Sequence, residues 1–285
     1  MMPSLLILIS AVFYGISPII AKAVYGFGVT PLTLLGIRSS FAAACLWAGL
    51  IVTRTPFQPP RSSLVPLLVM GSTLVPVQVF AYFQALAYLP ASSASVLSYT
   101  YPIHVAWMGR VFLGERVRPV ELGLLAAVMA GAVLVAGQTP TAAPGLGLVM
   151  LVVATLTSAI YMVSARRIVR DVQPITAMAI LGPVSAIVYW AAALAAGQVT
   201  MAMPAAALAA VLGAALLANL IAPILMLSGL RAMPAVRASM LGTLEPVVTV
   251  TLSILFLGDV MTPLRALGIA IVIGAITILH ARRSA

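Results

Sequence analysis

"FLGERVRP" occupies residues 112–119 and "FLGDVMTP" residues 256–263, so one phrase is written twice at an offset of 144, without arginines in the second copy. Extended without gaps, the overlay lays "LAYLPASSASVLSYTYPIHVAWMGRVFLGERVRP" (86–119) over "LRAMPAVRASMLGTLEPVVTVTLSILFLGDVMTP" (230–263). Leu86, Pro90, Ala91, Ala94, Ser95, Leu97, Pro102, Phe112, Leu113, Gly114 and Pro119 meet identical residues, and Glu115 meets Asp259. A repeat of this period divides the chain into two equivalent halves, with the boundary near residue 140. Residues 1–140 form the first repeat and 141–285 the second.

Composition sets the solvent of each half. Hydrophobic residues make up 63% of the chain and charged ones 7%, with a mean hydropathy of +1.18. A soluble domain carries about 25% charged residues, so this surface must face lipid. The net charge of +10 is scattered in ones to threes between apolar runs, which excludes a phosphate-binding face for nucleic acid. The lone Cys45 lies in an apolar run and offers neither a disulfide nor a metal cluster. The apolar N-terminus lacks a basic leader region and reads as a first span rather than a signal peptide.

Ten apolar segments are long enough to cross about 30 Å of hydrocarbon as helix. Their limits are 4–24, 31–53, 63–86, 91–112, 119–137, 145–167, 174–196, 205–228, 235–257 and 263–280. Helix is the open-chain structure that satisfies its own backbone in lipid, so the expected fold is all-α and polytopic. Arg54, Arg61, Arg110, Arg116, Arg118, Arg166, Arg167, Arg170, Arg231, Arg237, Arg282 and Arg283 fall in loops or helix ends on one side. Only Lys22 and Arg265 fall on the other, and Arg38 lies within the second span. Positive charge stays inside, so both termini are expected in the cytoplasm of a cell (inner) membrane protein. Five helices per half is an odd number, so the second half enters the membrane inverted. The same turn is then cytoplasmic at Glu115 and external at Asp259, which explains the missing arginines. Inverted helical repeats are the architecture of secondary transporters, with a site near the midplane and alternating access.

Two five-helix halves, Pro31 with Arg38 early in the first, and the paired pattern "P…FLG[ED]…P" resemble the drug/metabolite transporter superfamily, EamA type. Within it the chain looks most like the YddG-type aromatic amino acid exporters. Asp259 departs from the family's usual Glu, and the second half has no counterpart of Arg38. The resemblance implies a ten-helix basket around a central cavity, exporting amino acids or similar metabolites without a cofactor.

Candidate site residues follow from polarity at depth. Pro102 and Pro246 each lie about eleven residues into a helix, hence about 16 Å deep, where each frees a backbone carbonyl. Tyr99, Tyr101 and His104 surround Pro102, and Glu245 precedes Pro246. Glu245 is the one acid deep within an expected span, and a carboxylate there must be paired, hydrated or protonated. It reads either as a group that binds a substrate ammonium or exchanges a proton, or as a neutral acid bonded to a free carbonyl. His104 is a second candidate for proton coupling, or a packing histidine. Arg38 reads as an attractor for a substrate carboxylate, as a partner of Glu245, or as a snorkelling residue. Gln78 and Tyr82 share a face of the third span, and Asn219 beside Pro223 mirrors them. Tyr14 with Ser17 and Pro18, and Tyr161 with Ser158, complete an aromatic cavity suited to amphipathic solutes rather than nucleotide sugars. Trp107 reads either as a further cavity group or as an interface anchor, a common role of tryptophan near a helix end. Ala127 with Gly131, and Ala270 with Gly274, are spaced for close helix packing in the fifth and tenth spans, or for a homodimer contact of an otherwise monomeric chain.

Three rivals remain. A multidrug or cationic-compound exporter would share the cavity, and a lipid-headgroup flippase would share the architecture. An intramembrane enzyme lacks a metal motif, since His104 and His280 are the only histidines, and no glycine-rich phosphate loop is present.

Overall fold

The computed structural model describes residues 2–98, 100–136 and 145–281, and every regular element among them is helical. The expected boundary at 140 falls outside the described residues. The helices are α1 (Pro3–Tyr25), α2 (Pro31–Val52), α3 (Arg61–Tyr88), α4a (Ala91–Ser98), α4b (Tyr101–Leu113) and α5 (Pro119–Ala136). After them come α6 (Gly145–Ile168), α7 (Pro174–Ala195), α8 (Ala205–Arg231), α9a (Ala235–Gly242), α9b (Leu244–Leu257) and α10 (Pro263–Ala281). Seven runs of helix, counting α9a and α9b together, are long and apolar enough to cross a membrane, and α5 and α10 contain shorter apolar stretches. The chain is a polytopic, all-helical membrane protein.

Proline sets most of the helix starts. Pro31 and Pro174 occupy a first helical turn whose N–H would lack a partner anyway. Ahead of Pro31, the Thr30 hydroxyl accepts from the Thr33 N–H at 3.3 Å and caps α2. The repeated "FLG" now has a physical meaning. Gly114 (φ 66°) and Gly258 (φ 76°) end α4b and α9b in the left-handed conformation, which a β-carbon disfavours. The next residue folds back each time: Glu115 N–H donates to Gly109 O (3.1 Å) and Asp259 N–H to Ser253 O (3.4 Å).

The two deep prolines do not sit inside continuous helices as expected. Pro102 lies in the first turn of α4b and Pro246 in the first turn of α9b, so each span is broken just ahead of its proline. Proline has no N–H and clashes with the preceding turn, and here that conflict resolves as a break rather than a kink. A second irregularity lies in α3 and α8, which contain π-helical turns at Met70–Leu74 and Ala215–Ile221. Each precedes a proline, Pro76 or Pro223. Side chains of neighbouring helices bond to carbonyls in or beside these turns, and one of these, Gly71 O, is the carbonyl that Pro76 leaves without its N–H. Ser185 of α7 donates to Gly71 O (2.9 Å), Tyr189 to Val75 O (3.4 Å), and Ser10 of α1 to Ala222 O (2.8 Å).

Packing runs between the halves. Helix α1 contacts α8 and α9b, α6 contacts α3 and α4b, α2 contacts α7, and α5 contacts α10. Gly131 lies at the α5–α10 contact, where an added β-carbon would stand 2.7 Å from Gly268 O. Gly274 meets nothing within 4 Å, so the expected pair of packing glycines is a single one.

Candidate functional site

These contacts enclose a cavity of 260 Å³ at the centre of the bundle. Most of the sequence-derived candidates meet there: Tyr14, Gln78, Tyr82, Tyr101, Tyr161, Asn219 and Glu245 all line it, with Ser17, Pro18, Ser158 and Arg38. Leu46, Met162, Met178, Leu181 and Met226 supply the apolar wall. Arg38 and Glu245 are the two charged side chains among the described lining residues. Tyr99 lies outside the described residues. No group of His, Cys, Asp and Glu among the described residues is placed to hold a metal ion.

Local breaks in helix geometry aim several of these side chains. Asn219 belongs to the π-turn of α8, and Gln78 and Tyr82 follow the π-turn of α3 by one to two helical turns. A π-turn rotates the residues around it relative to an α-helix, which recurs at functional sites. Glu245 occupies the first turn of α9b, just after the break at Thr243. Across from it α1 comes unusually close: a β-carbon on Gly15 would stand 3.0 Å from Glu245 O and 2.7 Å from Val248 Cβ. Thr249 reinforces the approach by donating to Gly15 O at 3.1 Å. Tyr101 reaches across the two broken spans, its hydroxyl donating to Ser239 O at 3.3 Å. Tyr14 lies within electrostatic reach of Tyr161, Glu245, Tyr101 and Arg38, so residues from α1, α2, α4b, α6 and α9b share one chamber.

Arg38 does not snorkel to an interface. It is 3% exposed, donates from Nη2 to Asn219 Oδ1 at 2.6 Å, and stacks 5.0 Å from the centre of the Phe83 ring. The bond spans 181 positions of sequence, so no local signal announces it. His104 is half-buried on α4b but does not line the cavity, and its Nδ1 is buried without a hydrogen-bond partner. Pro102 and Pro246 shape the walls without lining them. Trp107 is 61% exposed and does not line the cavity.

One end of the bundle carries an ionic cluster that composition alone does not reveal. Glu115 Oε1 pairs with Arg166 Nε at 3.5 Å, and Arg166 Nη1 donates to Leu230 O and Arg231 O. Glu121, buried at the start of α5, pairs with Arg237 of α9a and accepts the Arg118 N–H at 2.8 Å. Several arginines that read as orientation charges therefore also tie helices together.

Comparison with known proteins agrees with this architecture. The model of the EamA-like transporter family matches residues 1–137 and again 145–280. The pseudopaline exporter CntI of Pseudomonas aeruginosa, from strains UCBPP-PA14 and PAO1, is 32% identical over 71 residues. That stretch is 25% of this chain and 25% of the relative, so only a quarter of the exporter is matched. A solved crystal structure superposes with a TM-score of 0.79 at 18% identity, covering 97% of this chain and 96% of the other. At that identity the likeness establishes the fold.

Proposed function

The chain belongs to the EamA-like transporter family, and from that premise we propose that it exports amino acids, aromatic ones foremost, or similar small amphipathic metabolites. It is a transporter and not an enzyme. The observation that carries the cargo reading is the cavity wall. Four tyrosines, Tyr14, Tyr82, Tyr101 and Tyr161, surround one acid and one guanidinium. Aromatic rings offer a large apolar face with a polar tip, which fits a ring-bearing zwitterion better than a polyanion. Glu245 meets the ammonium or exchanges a proton for it.

Alternating access about two inverted five-helix repeats, 1–140 and 141–285, is the mechanism. Its support is the doubled "FLG[ED]" turn and a contact pattern that maps onto itself when each helix is exchanged for the one five places on. The arginine-rich end faces the cytoplasm with both termini, in a cell (inner) membrane. The expected working unit is a monomer.

Reconstitution in liposomes tests this reading, with radiolabelled tryptophan or phenylalanine and an imposed pH gradient. Saturable flux establishes an amino acid carrier, and acceleration by the gradient assigns proton antiport. Absence of flux, with activity on a cationic compound, sinks the amino acid reading and favours a multidrug exporter. Lipid scrambling without solute flux instead identifies a flippase. Pseudopaline is the further cargo to try, because the sequence match to its exporter motivates it.

A further inference from the structure

Arg38 holds a charge that its surroundings do not cancel. A buried guanidinium is costly unless its donors are met and its charge is balanced. Its observed partners are the neutral Asn219 amide and the face of Phe83. Its Nε is buried without a hydrogen-bond partner, although the residue lines the cavity. Tyr25 and Tyr189, whose hydroxyls lie within its field, donate to Phe83 O and Val75 O. Among the described residues two other arginines have a buried Nε without a hydrogen bond, Arg166 and Arg265, and they differ in kind. Both give Nη1 to backbone carbonyls near helix ends (Leu230 O and Arg231 O; Val260 O), and neither lines the cavity.

We propose that Arg38 is the docking point for a carboxylate on the cargo, so that the cavity selects solutes carrying one. The inference rests on the transport reading and deepens it by making a carboxylate a requirement of every cargo, amino acid or other metabolite. Arg38 is suited to the task because a guanidinium presents planar donors that match a carboxylate. Asn219 takes one N–H of Nη2 and Phe83 flanks the group, so with Nε–H buried the remaining N–H groups at the tip of the side chain are left to meet an incoming oxygen. Glu245 lines the same chamber, so an amino acid meets a group of opposite sign at each of its charged ends. A cation without a carboxylate leaves Arg38 uncompensated and gains nothing from it.

Two measurements on the full-length protein test this. The first compares tryptophan with tryptophanamide in liposome flux, and indole-3-propionate with its amide as stabilisers of the detergent-solubilised protein. Loss of the carboxylate should weaken the interaction about ten-fold or more, as for other hydrogen bonds to charged groups. The second uses Asn219→Asp, which keeps size and shape but places a carboxylate beside Nη2. It should fold, because it neutralises a buried charge, and it should weaken both acids about ten-fold, while the uncharged indole-3-propionamide weakens by much less than its acid. Amides that match the acids in the wild-type protein overturn the proposal, as does an Asn219→Asp variant with unaltered acid binding. If tryptophan fails to move but indole-3-propionate still stabilises the protein in an Asn219→Asp-sensitive way, the carboxylate site stands and the amino acid export reading falls. If no indole acid stabilises or moves, the proposal is overturned.

Discussion

Glu115 Oε2 accepts the backbone N–H of Ala235 at 2.8 Å, joining the turn after α4b to the first residue of α9a, 120 positions away. The carboxylate caps a helix N-terminus, where the orphan N–H groups and the helix dipole both favour negative charge. The same side chain meets Arg166 at the end of α6, so one residue links three spans at the arginine-rich end. Gly114 makes this possible, because its left-handed turn redirects the chain toward α9a.

Replacing Glu115 by alanine should cost about 2–3 kcal/mol, since it strips a buried N–H of its acceptor and leaves Arg166 without its acid. Glutamine keeps an acceptor of the same length and should cost roughly half as much, about 1 kcal/mol. Thermal unfolding in detergent ranks the two. Equal melting temperatures for alanine variant and parent would remove the capping role.

Glu121 and Arg237 should behave as a coupled pair. Glu121 is buried and Arg237 half-buried, so the interaction is partly screened, and a coupling of about 1 kcal/mol is expected. A double-mutant cycle with Glu121→Gln and Arg237→Met measures it, read as unfolding free energy. Strict additivity of the two changes would show that the contact contributes nothing.

How far the sequence reaches is clear from such pairs. The apolar runs mark the helices because lipid tolerates little else at that length, and the "FLG" turns are visible because only glycine is comfortable at positive φ. Most cavity residues are visible for the same reason: polar groups at depth are rare. The π-turns of α3 and α8 carry no such mark, since any residue type can occupy them. Without them Asn219 is a polar residue of unknown direction, and its bond to Arg38 is invisible. His104 reads as a cavity group from depth alone, but depth along a helix says nothing of the face. Arg237 reads as an orientation charge, and its bond to Glu121 appears only once α5 and α9a are brought together.

The contact between α5 and α10 is asymmetric, and that can be tested. Gly131→Leu must displace α10, because even a β-carbon would stand 2.7 Å from Gly268 O and 2.9 Å from Val272 Cγ2. Overpacking of this kind costs about 1–3 kcal/mol. Gly274→Leu projects into open space and should leave the melting temperature unchanged. A reversed order would mean that the two helices pack through the other face.

The serines that bond in or beside the π-turns should matter more than their size suggests. Ser185→Ala removes a donor to Gly71 O, and Ser10→Ala a donor to Ala222 O, both within helices that lipid surrounds. Interhelical hydrogen bonds in membranes are worth about 0.6 kcal/mol on average and up to about 1.7. Each variant should lose close to that amount in unfolding free energy, and the two losses should add, since the serines act on different helices. Wild-type stability in both would show that these interhelical bonds contribute nothing to the fold.

Gly15 tests whether the spacing of α1 against α9b serves transport as well as packing. A valine there would place its first side-chain carbon 2.7 Å from Val248 Cβ and 3.0 Å from Glu245 O, forcing α9b outward. The break at Thr243 gives α9b freedom to shift, so the strain should be relieved by moving Glu245 rather than by unfolding the bundle. The expected outcome is a protein that is still folded, by about 1–3 kcal/mol less stable, with cargo flux reduced at least ten-fold. Glu245→Gln at an intact Gly15 separates geometry from charge. If Glu245 exchanges the coupled proton, this variant abolishes the response of flux to a pH gradient, whereas Gly15→Val lowers flux at every gradient alike. Undiminished flux in Gly15→Val would show that Glu245 needs no fixed position against α1, and would detach the close approach from the transport cycle.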